Sequence, residues 1–140
     1  MKHTFAAAMF ALLASCAPSP PTPAEIAMMQ AAPKPSSEEA AEQAVKDYFA
    51  AVLFDAEAAR YQFPLRPVQG SWTASNSARE FGWFMCGKIN GKNRMGGYTG
   101  YKTFFAYFSP TLPDKVIDGT TADTDELGIV DGWCKGLYHS

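Results

Sequence analysis

The sequence predicts an α+β fold: an N-terminal amphipathic helix packed on a small antiparallel sheet and pinned by one disulfide. Three observations predict it. Residues 36–54 carry a single apolar stripe at helical spacing. From residue 60 onward, short runs rich in aromatic and apolar residues are broken by Pro, Gly and Asp. Two cysteines, Cys86 and Cys134, lie within that second part. A helix followed by several strands favours a helix lying on an antiparallel sheet. The chain of 140 residues has room for a single domain.

In the helix, Ser36 with Glu39 three residues on matches a capping box. Glu38 and Glu39 complement the positive end of the helix dipole. Ala41, Val45, Tyr48 and Val52 form the stripe, widened by Ala44, Phe49 and Leu53, with Glu42, Gln43, Lys46 and Asp47 opposite. A helix lying on a membrane favours a basic polar face, whereas this one is acidic, so its stripe belongs on the domain's own sheet. Asp55–Arg60 suits a further short turn. Arg60–Phe63 and Val68–Thr73 read as short strands separated by Pro64 and Pro67. Phe81–Ile89 is apolar on both faces, as a covered central strand should be. Tyr101–Phe108 is a second such strand, and Lys115–Ile117 an edge strand ended by Asp118-Gly119. The tail from Asp123 begins with a short helix and is pinned through Cys134, with Trp133 packing on the disulfide.

The first residues read as a processing signal. Lys2 and His3 precede an unbroken apolar and small run from Phe5 to Ala14. About ten residues is half the roughly 20 that a spanning helix needs, and the pattern fits a secretory signal peptide over 1–15. The run ends in Leu13-Ala14-Ser15-Cys16, which resembles the bacterial lipobox. The resemblance implies a diacylglycerol on the Cys16 sulfur, cleavage before Cys16 and acylation of the new amine. One acyl chain holds a protein only marginally, whereas two or more anchor it stably. Ala17, where an Asp would signal retention in the inner membrane of enteric bacteria, implies the periplasmic face of the outer membrane.

Residues 16–35 read as the lipidated cysteine and a tether, because Pro18, Pro20, Pro21, Pro23, Pro33 and Pro35 crowd this stretch. An extended tether of this length would reach roughly 60 Å, with room in Ala24–Ala32 for a frayed helical turn. The folded domain is then 36–140. Without the signal, 11 basic side chains face 14 acidic ones, a charge of −3, and no dense basic patch survives. The electrostatic attraction that dominates nucleic-acid binding is absent, and nucleic acid is not an expected partner. An exported pair of cysteines is expected to close a disulfide. By loop-closure entropy, Cys86–Cys134 would contribute about 4 kcal/mol.

The stretch from Cys86 to Tyr101 is the most distinctive: Cys86-Gly87, then Asn90, Lys92-Asn93, Gly96-Gly97-Tyr98, Gly100-Tyr101 and an aromatic strand. It resembles a motif in a family of small, uncharacterised exported bacterial proteins. The likeness covers roughly residues 45–108, with Met95 a minor departure, and it implies no activity. Physically the stretch is a strand, a long turn and a returning strand. Glycine and asparagine are what long turns need. As a ligand loop, Asn90, Lys92, Asn93, Arg94, Tyr98 and Tyr101 would face an anionic ligand or glycan such as peptidoglycan. As a plain hairpin, the same residues satisfy turn geometry alone.

Catalytic patterns are sparse. Outside the signal the only histidine is His139, beside the C-terminus, which leaves no oriented triad. Zinc needs clustered Cys and His, so no metal or cofactor is expected. Asp123-Thr124-Asp125-Glu126-Leu127-Gly128 departs from a calcium loop at its fifth position, Leu127, and its twelfth, Cys134. Among Asp114, Asp118, Asp123, Asp125, Glu126 and Asp131, no spacing selects a hydrolytic pair. Expected, therefore, is a non-catalytic envelope lipoprotein. It would be a binding or scaffold module with an envelope protein partner, such as an accessory subunit of an envelope or secretion assembly. A peptidoglycan-binding module using residues 90–101 and a small hydrolase using tail carboxylates are the alternatives.

Overall fold

A computed structural model describes residues 20–73, 79–122 and 129–138. The expected signal segment, Cys16, the acidic residues Asp123, Asp125 and Glu126, and His139 lie outside these residues. The elements in order are α1 (Pro23–Ala31), α2 (Glu38–Ala50), β1 (Arg60–Gln62), β2 (Val68–Thr73), β3 (Arg79–Asn90), β4 (Lys102–Phe108), β5 (Val116–Thr121) and α3 (Ile129–Tyr138). This is the α+β architecture expected, with every strand pairing antiparallel.

β3 is the spine of the sheet. β4 runs along one of its edges and β5 lies outside β4. The other edge is shared by two short strands: β2 pairs with Arg79–Phe84, and β1 with Lys88–Asn90. Pro64 and Pro67 fall in the gap between them. Proline cannot donate to a ladder, so one edge strand becomes two pieces.

Side chains alternate along β3 and β4, and each set builds its own core. Met85, Ile89, Phe104, Ala106 and Phe108 face α2, which presents Ala41, Ala44, Val45 and Phe49 to them. The Phe49 and Phe104 rings meet edge-on with centroids 5.4 Å apart. Phe84, Cys86, Phe105 and Tyr107 point to the opposite face, where Trp72, Val130 and Cys134 cover them. Trp133 of α3 completes this cluster, with its ring 4.8 Å from Phe105 and 5.2 Å from Trp72. The disulfide Cys86–Cys134 ties α3 to the middle of β3, with S–S 2.08 Å and Cα–Cα 5.8 Å.

Four local expectations are corrected. The N-cap of α2 is Ser37, whose Oγ accepts the Ala40 N–H at 3.0 Å. The Ser36 N–H donates instead to Asp114 Oδ1 at 2.7 Å, so a distant turn decides the helix frame. The helix ends at Ala50, leaving Val52 and Phe54 exposed. β5 runs through Asp118-Gly119 to Thr121 rather than stopping there. Gly119 lies beneath Tyr48, where an added Cβ would meet the ring at 2.7 Å, and the Tyr48 hydroxyl donates to the Gly119 carbonyl at 3.1 Å.

The fourth correction concerns the expected tether, whose second half holds helix α1. Pro23 sits at the first helical position, where its missing N–H costs nothing. No proline follows until Pro33. Thr22 and Glu25 form a capping box: the Thr22 N–H donates to Glu25 Oε2 at 2.6 Å and the Glu25 N–H to Thr22 Oγ1 at 3.3 Å. No α1 residue is buried. The helix is strapped to the sheet by its carbonyls, Met29 O accepting from the Gln69 amide and Ala32 O from Trp83 Nε1 at 3.0 Å. Lys34 follows with its ammonium 5.6 Å from the Trp83 ring centre.

Candidate functional site: the hairpin loop and its neighbours

Loop 91–101 joins β3 to β4 at one end of the sheet, and its polar groups are used mostly on itself. Asn90, buried at the end of β3, accepts the Gly100 N–H at 3.1 Å through Oδ1. Lys92 and Tyr98 pair as an antiparallel bridge that extends the hairpin. At the tip, Asn93 exchanges backbone bonds with Gly96 and Gly97, and its Oδ1 accepts the Met95 and Gly97 N–H groups, both at 3.0 Å. Gly96 and Gly100 take φ of 81° and 94°, a region that side chains with a Cβ avoid. Thr99 donates twice to the Gly91 carbonyl, through its amide at 3.1 Å and its hydroxyl at 3.3 Å.

The loop docks on the segment that follows α2. The Tyr98 hydroxyl donates to Ala58 O at 3.0 Å. The Arg60 guanidinium lies 4.3 Å from the Tyr98 ring centre and Lys92 Nζ 5.4 Å. Lys92 also approaches Asp55 Oδ2 at 3.9 Å. The Asp55 carboxylate caps its own turn by accepting the Ala58 N–H at 3.2 Å. Half-exposed cation–aromatic contacts are worth about 0.5–1 kcal/mol each, and an exposed ion pair no more. Together they fix the loop's angle to the body. Asp55, Ala58 and Arg60 were not foreseen as part of this cluster. The only local signal was the Asp at the head of a turn.

The six loop residues singled out in the sequence thus divide by role. Asn90 and Asn93 bond the loop's own backbone, and Lys92 and Tyr98 bond the 55–60 segment. Arg94 and Tyr101 are exposed, as is Met95, which is 94% exposed at the tip. These exposed groups form a surface suited to contact, with no paired nucleophile and base.

A second concave region lies at the other end of the sheet. A cleft of about 390 Å³ opens between α1 and the starts of β3 and the β4–β5 turn, lined by Met28, Ala31, Phe81, Tyr107 and Pro110 among others. Burial, and then the Glu80 carboxylate, holds the Tyr107 phenol above its ordinary value; its hydroxyl donates to Phe81 O at 3.0 Å. Nearby, Asp114 accepts the Ser36 N–H, which keeps its carboxyl below the ordinary range. Asp118 is exposed on β5. Among the described residues, no group of three or more His, Cys, Asp or Glu is placed to hold a metal, and no helix is long and apolar enough to cross a membrane. Compared with known proteins, the chain matches no family model, no curated protein and no solved structure.

Proposed function

We propose that this chain is an exported bacterial lipoprotein, cut before Cys16 and anchored by lipid on that residue to the periplasmic face of the outer membrane. Its domain serves there as a non-catalytic binding or scaffold module for another envelope protein. The observation that carries this reading is the ten-residue apolar run closing on Leu13-Ala14-Ser15-Cys16 behind a short basic start. Two features of the domain support it. The Cys86–Cys134 bond suits an oxidising compartment. The exposed residues of the hairpin loop offer contact area with no reactive pair beside it.

Metabolic labelling with palmitate tests the anchor. The wild-type chain should take up label and partition into detergent. Cys16→Ser should lose the label and leave an uncleaved precursor. Equal labelling of both, or none of either, would refute the anchor. Crosslinking intact cells tests the scaffold role, with a single envelope protein expected to be captured in a manner that Arg94→Ala with Tyr101→Ala reduces. A chain that repeatedly emerges alone would count against a protein partner. Peptidoglycan sedimentation that responds to Lys92→Ala with Tyr98→Ala would favour a glycan instead.

A further inference from the structure

We infer that the end of the domain carrying Met28, Pro110 and Leu112 seats on the bilayer that holds the chain's own lipid, with loop 91–101 turned away from it. The inference rests on the reading of Cys16 as lipidated and follows from where the chain leaves the fold and how little of it remains.

Helix α1 sets the exit point. Its C-terminal carbonyl at Ala32 accepts from Trp83, four residues into β3. Moving back along the helix, Met28 shares the cleft with Arg79 and Phe81, and the charge of Glu25 interacts with that of Arg79, the first residue of β3. The helix therefore runs toward the start of β3, and Thr22 leaves the domain there. Loop 91–101 begins at the other end of the same strand. From Arg79 to Asn90 β3 spans about 36 Å at strand rise.

Only residues 17–22 separate Cys16 from α1. Six residues span at most about 22 Å even when fully extended. That is less than the length of β3, so the anchored domain cannot turn over and lay the hairpin loop on the same bilayer. Had all of residues 17–35 been free, their contour of about 68 Å would have allowed it. The docked helix is what converts a long spacer into a short one.

The surface at the exit fits a lipid contact. Met28 and Leu112 are each more than half exposed, and Pro110, which lines the cleft with Met28, is exposed as well. Arg79 and Glu80 line the cleft, and Asp114 and Lys115 follow Leu112 in the β4–β5 turn, so each basic group comes with an acidic neighbour. The chain outside the fold, rather than charge, then selects the bilayer, and the contact should be insensitive to salt. Partners reach the exposed residues of the loop from the far side.

Full-length lipidated protein in phosphatidylethanolamine–phosphatidylglycerol vesicles tests this by energy transfer to headgroup-labelled lipid. A donor is placed at Leu112→Cys or at Met95→Cys, with the Cys86–Cys134 bond verified in each. Transfer from position 112 should be several-fold more efficient than from position 95, unchanged by salt. Ala27→Pro, in exposed α1, breaks the strap without touching the sheet and should largely erase the difference. Equal or reversed transfer in anchored wild-type protein would overturn the orientation, and asymmetry undiminished in Ala27→Pro would overturn the strap. Protein that fails to join the vesicles would defeat the lipid reading itself, and the orientation with it.

Discussion

The two faces of the sheet are closed in different ways. Helix α2 lays four buried side chains, Ala41, Ala44, Val45 and Phe49, along β3, β4 and β5. Helix α3 contributes Val130, Cys134 and the half-buried Trp133 to the opposite face. The first helix has a complete apolar stripe and a cap, and non-covalent packing holds it. The second is held, among its described side chains, by a bond to Cys86 and by an aromatic lid, Trp133, over Phe105 and Trp72.

The largest effect should come from the fully packed face. Phe104 is completely buried beneath Phe49 and Phe63. Its ring also covers Gly87, where an added Cβ would lie 2.6 Å from it. Phe104→Ala should cost about 3–5 kcal/mol in urea unfolding, with loss of the whole domain as one unit. A cost below 1 kcal/mol would show that α2 is not seated as described.

Reducing the disulfide, or replacing both cysteines by alanine, should cost about 2–4 kcal/mol. It should also act unevenly. The near-ultraviolet dichroism of Trp72 and Trp133 should fade before the far-ultraviolet signal does, because α3 loosens while α2 and the sheet persist. Coincident loss of both signals would mean that the two faces are equally dependent on the crosslink.

Capping provides a finer contrast. Ser37→Ala should cost about 1 kcal/mol, since it removes the oxygen that accepts the Ala40 N–H. Ser36→Ala should cost less, because alanine retains the backbone N–H that makes the larger contact with Asp114 and loses only the weaker one of the hydroxyl. Equal costs in a thermal melt would return the helix start to the frame expected from sequence.

The smallest effect concerns α1. The Glu25 carboxyl is held below its ordinary value, first by the Thr22 N–H and then by the Thr22 hydroxyl. Its capping contribution is therefore complete above the ordinary carboxylate range, about 4, and is lost as pH falls through the lowered value. Amide exchange over Pro23–Ala31 should quicken on acidification before that of β3 and β4. Exchange in α1 that is independent of pH, beyond its intrinsic chemistry, would remove Glu25 from the cap.

Much of this architecture was legible in the sequence, because local pattern and tertiary role coincide there. The stripe from Ala41 to Phe49, the two-faced strands β3 and β4, and the Cys86–Cys134 pair each follow from residue type and spacing. Two of the misses share one cause: a contact distant in sequence decided them. Asp114 chooses Ser37 over Ser36 as the cap. Tyr48 needs a glycine beneath it, so Gly119 is a place of close approach inside a strand and not a turn. In α1 the number of prolines outweighed their positions, although Pro23, Thr22 and Glu25 spelled a helix start. In the loop, the turn chemistry of Asn93, Gly96 and Gly100 was readable. The docking of Tyr98 between Lys92 and Arg60, 38 residues earlier, was not.

The most direct test is the intact mass of the mature protein, extracted from membranes in detergent without reductant. The expected species begins at Cys16, carries a diacylglycerol and a third acyl chain, and is two hydrogens lighter than the reduced chain because Cys86 and Cys134 are joined. A product that begins elsewhere, bears no lipid or retains two free thiols would contradict both the address proposed for this domain and the bond that closes its second face.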